Sequence, residues 1–322
     1  MEQDIRTTLL HEFSKLSLDY KNIFDVKDKP GTGFGLCATS YIPKGTLIFE
    51  ESPFLTLPMK PNQITLTPRQ YQTAYLGLNP RNRQVFWTFK GRDDVDDEEE
   101  KDKIMNIIDI NGISLGVNET SYAIALFKVL GRVNHSCKPN AGWYWYDDKQ
   151  LLRFYAYMDI PPNTEITASY LASDTLLLQA VSRKQKILED YGFSCLCDLC
   201  TDSVQRTRIS DSNLLELSSY IGEWVNLGAD DIEEKSVLDL RKLYRSLEIL
   251  EIEQKIDLMG FVYSLCLEYH MIHGNYDEAK RLAGLSLDHF TKVIGEEKSK
   301  EFGLDVWVID PTSHPYWKID LV

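Results

Sequence analysis

The chain has 322 residues, of which 43% are hydrophobic, 11% aromatic and 26% charged. This composition excludes a disordered or collagen-like chain, and the length suits about two domains. The 35 Lys and Arg residues against 49 Asp and Glu give a net charge of -14. This charge disfavours direct binding of nucleic acid, because the phosphates would be repelled, and it favours a basic protein or peptide as partner.

The N-terminal residues do not predict a secretory signal, because Glu2, Asp4 and Arg6 occur where an apolar segment would be needed. No apolar run approaches the roughly 20 residues of a membrane helix. We therefore expect an intracellular protein, nuclear or cytoplasmic or both, that does not contact a membrane. In a reducing compartment its six cysteines indicate metal binding or burial rather than disulfides.

The first part of the chain predicts strands with a helical insertion. Residues 25–57 are broken by glycines and by the turn at 43–45, as short strands are. From about residue 58 to 106, apolar residues recur at intervals of three and four, which predicts helices. The insertion ends in an acidic run at residues 93–102, which we interpret as a solvated loop. Strand-like sequence resumes at residues 107–170.

The last part of the chain predicts an all-helical domain, because leucines at 240, 243, 247 and 250 follow a helical period. We place the boundary near residue 208, which divides the chain into 1–208 and 209–322. The sequence around Gly274 is similar to the turn of a tetratricopeptide repeat, although a single copy does not define a repeat array. Cys266 lies in an apolar helical pattern and is interpreted as a buried thiol.

Three thiols within six residues, at Cys195, Cys197 and Cys200, indicate a zinc site. They leave a tetrahedral ion one ligand short, so another part of the chain must supply the fourth. Cys137 is the preferred candidate because it lies in a polar loop bounded by proline, and Cys37 is the alternative. Four buried thiols without a metal are a further interpretation.

The glycines at 33 and 35 alone would fit a plain hairpin. A dinucleotide-binding loop is not supported, because no helix follows them directly. His135 and Tyr170, each taken alone, would also be ordinary structural residues.

Five short segments nevertheless occur in a fixed order: GFGL (33–36), IPKG (42–45), RVNHSCKPN (132–140), EITASY (165–170) and YGFSCLCDLC (191–200). Together they resemble the SET-domain protein lysine methyltransferases, especially the SMYD-like branch. The resemblance implies an α+β fold, in which a β-rich SET domain with a helical insertion ends in a post-SET zinc segment at about 191–208. An all-helical domain similar to the tetratricopeptide-like domain of that branch follows. The MYND finger of animal SMYD proteins is absent, because no cysteine occurs between Cys37 and Cys137.

The resemblance also implies roles for individual residues. The residues implied to contact S-adenosylmethionine are Gly33, Phe34, Gly35, Asn111, Asn134, His135, Tyr170 and Phe193. Tyr170 would be catalytic, and Tyr191 and Phe193 would line the lysine channel. Cys137 would join Cys195, Cys197 and Cys200 on a structural zinc ion.

The implied activity is transfer of methyl groups from S-adenosylmethionine to the side-chain amine of lysine in a protein, histone or non-histone. We expect a monomer that acts on a basic protein or peptide, such as a histone. A catalytically silent adaptor, which would bind partners through its helical domain, is the alternative.

Overall fold

The computed structural model describes residues 23–29, 33–60, 63, 65–95, 99–118, 121–172, 175–228 and 231–319. Within these ranges, ten strands form three small sheets in the first part of the chain. The strands are β1 (Phe24–Lys29), β2 (Gly33–Ala38), β3 (Leu47–Glu51), β4 (Leu55–Met59), β5 (Ile113–Asn118), β6 (Ser121–Leu126), β7 (Asn134–His135), β8 (Ala141–Tyr146), β9 (Leu151–Ala156) and β10 (Glu165–Ala168).

The sheet with the order β1-β2-β10-β7 brings three distant segments of the sequence side by side. β2 pairs antiparallel with β1 and β10, whereas β10 pairs in parallel with β7. The other sheets have the orders β3-β9-β8 and β4-β6-β5. Residues of the three sheets, among them Leu36, Leu115 and Phe154, share one apolar core. The strands that carry the motifs thus pack on the same apolar core.

The segment for which the sequence predicts a helical insertion contains α1 (Pro68–Leu76), α2 (Pro80–Phe86) and α3 (Glu100–Asn111). α1 and α2 each begin at a proline, which fits the first helical turn because proline lacks the N–H that has no intrahelical partner there. The helices pack against β4 and β6 through an apolar cluster that includes Phe86 and Ile108.

The end of the acidic run differs from its prediction. α3 begins at Glu100, so residues 100–102 are helical and the loop interpretation is wrong for them. Glu100 and Asp102 occupy the first turn, where the helix dipole favours acidic side chains. Residues 93–95 form an exposed turn, as a solvated loop would.

The C-terminal region is largely helical, which confirms that part of the predicted fold. Its helices are α4 (Ala180–Tyr191), α5 (Asp198–Thr201), α6 (Val204–Trp224), α7 (Ile232–Ser236), α8 (Leu240–Ile252), α9 (Ile256–Ile272), α10 (Tyr276–Ile294), α11 (Glu296–Lys300) and α12 (Leu304–Ile309). Short 3-10 helices lie at Leu130–Arg132, Asp147–Lys149, Thr175–Leu177 and Pro311–Ser313. No helix in the described ranges has the length and apolar character needed to cross a bilayer.

Two features of this region concern sequence predictions. Residue 208 lies inside α6, and the division of the chain near it stays a prediction, as does the similarity to tetratricopeptide repeats. Gly274, with φ +64, lies in the turn between α9 and α10, and these two helices pack together. Cys266 is 0% exposed, which confirms its burial.

The helical region packs directly on the β8–β9 hairpin. The hydroxyl of Tyr146 donates to the carbonyl of Ile294 at the end of α10. The next residue, Gly295, has φ +86, and a Cβ there would lie 2.8 Å from the Tyr146 hydroxyl oxygen and closer still to that of Tyr155. Only glycine fits this junction between sheet and helices.

Candidate active site

β10 lies between the glycine-containing strand β2 and the Asn134-His135 strand β7. A Cβ on Gly35 would lie 2.8 Å from Asn134 Nδ2 and closer still to Glu165 Oε1, so an alanine here would displace these two side chains. Asn134 Nδ2 donates to Glu165 Oε1 over 2.8 Å. Gly33 has φ +77, which glycine adopts without strain. The sheet pairing thus brings the backbone of Gly35 next to a polar cluster formed by the side chains of Asn134 and Glu165.

Asn140 fixes the loop after β7 to the same strand. Its Nδ2 donates to the carbonyl of Glu165 over 2.8 Å, and its Oδ1 accepts the N–H of Thr167 over 2.8 Å. Both hydrogen bonds go to the backbone of β10. The loop that carries His135 and Cys137 is therefore held at its far end.

His135 connects Tyr170 with the cysteine cluster. Its Nδ1 accepts the backbone N–H of Tyr170 over 3.0 Å, and its Nε2 lies 3.2 Å from Cys137 Sγ. Because a backbone N–H can only donate, the proton of the neutral ring is on Nε2, which faces the sulfur. Desolvation lowers the pKa of His135 to about 4, so the ring is neutral at pH 7.

Tyr170 is held at both ends and surrounded by aromatic rings. Its hydroxyl donates to the carbonyl of Val133 over 2.8 Å. Its ring centroid lies 5.3 Å from that of His135, 5.0 Å from Tyr191 and 6.4 Å from Phe193. Desolvation raises the pKa of Tyr170 above its ordinary value, so the phenol stays protonated at pH 7.

Two clefts meet at Tyr170. The first cleft, of about 690 Å³, is lined by the 134–140 loop, β10 and residues 193–198. The second cleft, of about 400 Å³, is lined by the end of α3, the start of β5, residues 168–172 and Tyr191. Tyr170 lines both. Tyr191 also donates its hydroxyl proton to the carbonyl of Tyr170 over 3.0 Å.

The structure brings most of the predicted site residues to the first cleft. Asn134, His135, Tyr170 and Phe193 line it, and Gly35 borders it through its contacts with Asn134 and Glu165. Phe34 packs instead against the apolar core of the sheets. Asn111 lines the second cleft instead, and its Nδ2 donates to the carbonyls of Lys90 and Ile107, each over 2.8 Å.

The four predicted cysteine ligands form one cluster. The sulfurs of Cys137, Cys195, Cys197 and Cys200 all lie within 4.8 Å of one another. Cys137 Sγ is 3.9 Å from Cys195 Sγ and 3.6 Å from Cys200 Sγ. A tetrahedral zinc ion with bonds of about 2.3 Å places its sulfurs about 3.8 Å apart, so the set fits zinc. Cys37, the alternative ligand, is not in this group.

Sequence reasoning missed several residues at the site. Val133 contributes only a backbone carbonyl, which no side-chain pattern can indicate. Glu165 and Asn140 lie within the motifs, and a polar side chain next to buried positions could have indicated that each forms hydrogen bonds at the site. Lys255 is buried and donates to the carbonyl of Cys137, and Arg183 is buried on α4, although charged residues ordinarily face solvent.

Residues 33–171 match the model of the SET domain family. This match covers under half of the chain and includes four of its five motifs, so residues 33–171 are similar to SET domains, as the motifs predict.

Three relatives extend this comparison. The chain is 24% identical over 303 residues to histone-lysine N-methyltransferase set5 of Schizosaccharomyces pombe, with 91% of this chain and 85% of that protein covered. It is 32% identical over 111 residues to a SET and MYND domain-containing protein of Dictyostelium discoideum, with 32% and 31% covered. It is 30% identical over 137 residues to N-lysine methyltransferase SMYD2-B of Danio rerio, with 42% and 27% covered. The matched part is most of the yeast relative but under a third of the other two.

Proposed function

We propose that the chain is a protein-lysine N-methyltransferase that uses S-adenosylmethionine. The observation that carries this proposal is the position of Tyr170, which lines both clefts and is surrounded by His135, Tyr191 and Phe193. One cleft can hold the methyl donor and the other the substrate, with the transfer between them. Relatives named lysine methyltransferases support the same activity.

The main task of the site is to align a neutral amine with the methyl group. S-adenosylmethionine supplies that methyl on a sulfonium, already activated. A lysine amine with a pKa of about 10.4 is mostly charged at pH 7, and its deprotonation costs about 4 to 5 kcal/mol. The rings of Tyr170, Tyr191 and Phe193 lower this cost, because apolar surroundings disfavour the ammonium form.

Tyr170 acts as an orienting group and not as a base. Its phenol stays protonated, and its proton is donated to Val133. The oxygen therefore has lone pairs left to accept an N–H of the incoming amine. That hydrogen bond directs the amine lone pair, which is the positioning on which methyl transfer depends.

The first cleft is the proposed cofactor site. Its volume of about 690 Å³ lies in the range of small-molecule pockets, about 300 to 1,000 Å³. Asn134 and His135 supply polar groups, and Phe193, which is 39% exposed, supplies an apolar surface. Gly35, next to Asn134 and Glu165, leaves space at the edge of the cleft, and Gly33 and Phe34 remain predicted contacts. Asn111 approaches from the second cleft and remains a predicted contact.

Zinc on the four cysteines is proposed to be structural. Four thiolates fill a tetrahedron and leave no position for water, so the ion would hold the 195–200 segment rather than react. The N–H of Cys137 donates to Cys197 Sγ over 3.4 Å, which already ties this segment to the 134–137 loop. The segment is too short to bury a core of its own.

The substrate is proposed to be a basic protein or peptide, histone or non-histone, attracted by the net charge of -14. The test is to incubate the purified chain with methyl-labelled S-adenosylmethionine, histones and a cell extract. We expect label on lysine side chains of protein. Cofactor binding without transfer to any of these proteins would contradict the proposal and favour the adaptor.

A further inference from the structure

We propose that Arg183 and Lys255 are the counter-charges of the four-cysteine zinc site, and that Lys255 thereby couples the helical C-terminal region to the active site. This inference rests on the zinc site proposed above. It concerns two residues that the motifs do not indicate, one on α4 and one directly before α9.

Arg183 is a buried cation with unused hydrogen-bond donors. Its side chain is 0% exposed, and its Nη1 donates to the carbonyl of Leu178. Its Nε and Nη2 are buried and have no hydrogen-bond partner among the described residues. One turn further along α4, Ile187 packs in the apolar cluster that contains Cys137, Cys195 and Cys200. Arg183 is therefore a buried cation with two N–H groups available, on the helix whose next turn packs against the cysteines.

Lys255 reaches the same cluster from the helical region. It is 1% exposed, and its Nζ donates to the carbonyl of Cys137. Within the described part of the chain, neither Lys255 nor Arg183 forms an ion pair with a carboxylate. The acidic neighbour Glu253 accepts hydrogen bonds from Ser210 and Asn213, at 2.6 and 2.8 Å.

Arg183 and Lys255 lie on two elements that both border the cysteine cluster. Lys255 directly precedes α9 and donates to the carbonyl of Cys137. Arg183 lies on α4, whose Ile187 packs with Cys137, Cys195 and Cys200. The carboxylates of Asp257 and Glu253 act on Lys255 as well.

Burial of charge is unfavourable unless an opposite charge compensates it. Four neutral thiols would place no negative charge beside the carbonyl of Cys137, to which Lys255 donates. Four thiolates around one divalent zinc ion carry a net charge of about -2, which matches the two cations in size and is opposite in sign. The metal-loaded cluster is therefore the state for which Arg183 and Lys255 are arranged.

The coupling runs through Cys137. The carbonyl of Cys137 accepts from Lys255, its sulfur belongs to the cluster, and the same sulfur faces Nε2 of His135. His135 in turn accepts the backbone N–H of Tyr170. One residue of the helical region is thereby three contacts away from the proposed catalytic tyrosine.

The test measures zinc affinity of the full chain by transfer to a competing chelator, with zinc content measured by mass spectrometry. Arg183→Met and Lys255→Met remove each charge, and Lys255→Arg keeps it. Lys235→Met is the matched control, because Lys235 is a buried lysine of the same region, 3% exposed, that pairs with Glu268 at 2.9 Å. We expect affinity to fall about 10- to 100-fold in the two charge-removing variants, as for other groups that support metal ligands. Lys255→Arg and Lys235→Met should stay near the wild type.

Cobalt substitution gives a second readout that a purely structural role would not move. Loss of a nearby cation makes the thiolates richer in electrons, so the thiolate-to-cobalt absorption band should shift to longer wavelength in Lys255→Met. Wild-type zinc affinity and an unmoved band in both charge-removing variants would overturn the counter-charge role while leaving the zinc site intact. Equal losses in Lys255→Arg and Lys255→Met would show that shape matters and not charge, which also overturns it. A wild-type chain that takes up no zinc would overturn both proposals.

Discussion

The hydroxyl of Tyr170 donates to the carbonyl oxygen of Val133 over 2.8 Å. Val133 directly precedes the Asn134-His135 strand, and the ring of His135 accepts the backbone N–H of Tyr170. The tyrosine is therefore fixed through its hydroxyl and its main chain by two adjacent residues of one segment. A small displacement of that segment would move the hydroxyl away from the meeting point of the two clefts.

Tyr170→Phe should lower the rate of methyl transfer by about 100-fold, because it removes the oxygen that orients the amine. Binding of S-adenosylmethionine should change little, since the aromatic ring remains. The measurement is the transfer rate, accompanied by calorimetry for the methyl donor. Tyr122→Phe, at an exposed tyrosine on β6, is the control and should leave both unchanged. Equal transfer rates in the wild type and Tyr170→Phe would contradict the role of the Tyr170 hydroxyl in orienting the amine.

Gly35→Ala should weaken binding of S-adenosylmethionine by about tenfold, through loss of the hydrogen bond between Asn134 and Glu165. The added methyl meets the ends of two side chains, which can turn away, so the melting temperature should fall only slightly. Calorimetry and thermal unfolding check the two parts. Gly116→Ala is the matched control, because nothing lies within 4 Å of a Cβ there. Unaltered affinity in Gly35→Ala would show that the hydrogen bond between Asn134 and Glu165 does not contribute to cofactor binding.

Removal of zinc by a chelator should abolish binding of S-adenosylmethionine. Without the ion, the 195–200 segment is released from Cys137, and Phe193 and the Asn134-His135 strand are no longer held around the first cleft. Calorimetry before chelation, after it and after zinc is restored measures the effect. Retained affinity in the metal-free chain would refute the link between the cluster and the cleft.

The free energy of unfolding should fall as the pH is lowered from 6.5 to 4, in part through His289. Burial lowers its pKa from 6.5 to about 4 in the folded chain, so protons bind the unfolded chain first. Its contribution is complete above pH 6.5 and is lost as the pH falls through 4, an effect of up to about 3 kcal/mol. His289→Gln should show a shallower decline in urea unfolding, whereas His273→Gln, at an exposed site, should follow the wild type. Parallel declines in all three proteins would contradict this assignment.

The order of motifs predicts the meeting of Asn134, His135 and Tyr170, because each lies in a short segment whose residues are specific to the family. The same reasoning predicts Cys137 as a neighbour of the other three thiols, since a tetrahedral ion needs a fourth ligand. Composition and periodicity also suffice for the contrast between the strands and the helical C-terminal region.

Other features depend on contacts that a linear pattern does not contain. Asn111 lines the second cleft because the end of α3 lies near residues 130–133 and 168–172, which are distant from it in the sequence. Glu100 belongs to a helix because acidic residues stabilise a first turn, although a run of acidic residues usually indicates a loop. Lys255 is more than fifty residues from the other three cysteines, and only the folded chain brings it to the carbonyl of Cys137.

Gly295 closes the junction between the β8–β9 hairpin and α10 so tightly that its neighbours Tyr146 and Tyr155 leave no space for a methyl group. Truncation of the chain after the cysteine segment would remove α10 and Gly295 from Tyr146 and Tyr155 and expose these two aromatic side chains to water. Expression of residues 1–208 by themselves should therefore yield aggregating material, and assays of methyl transfer should include the helical C-terminal region.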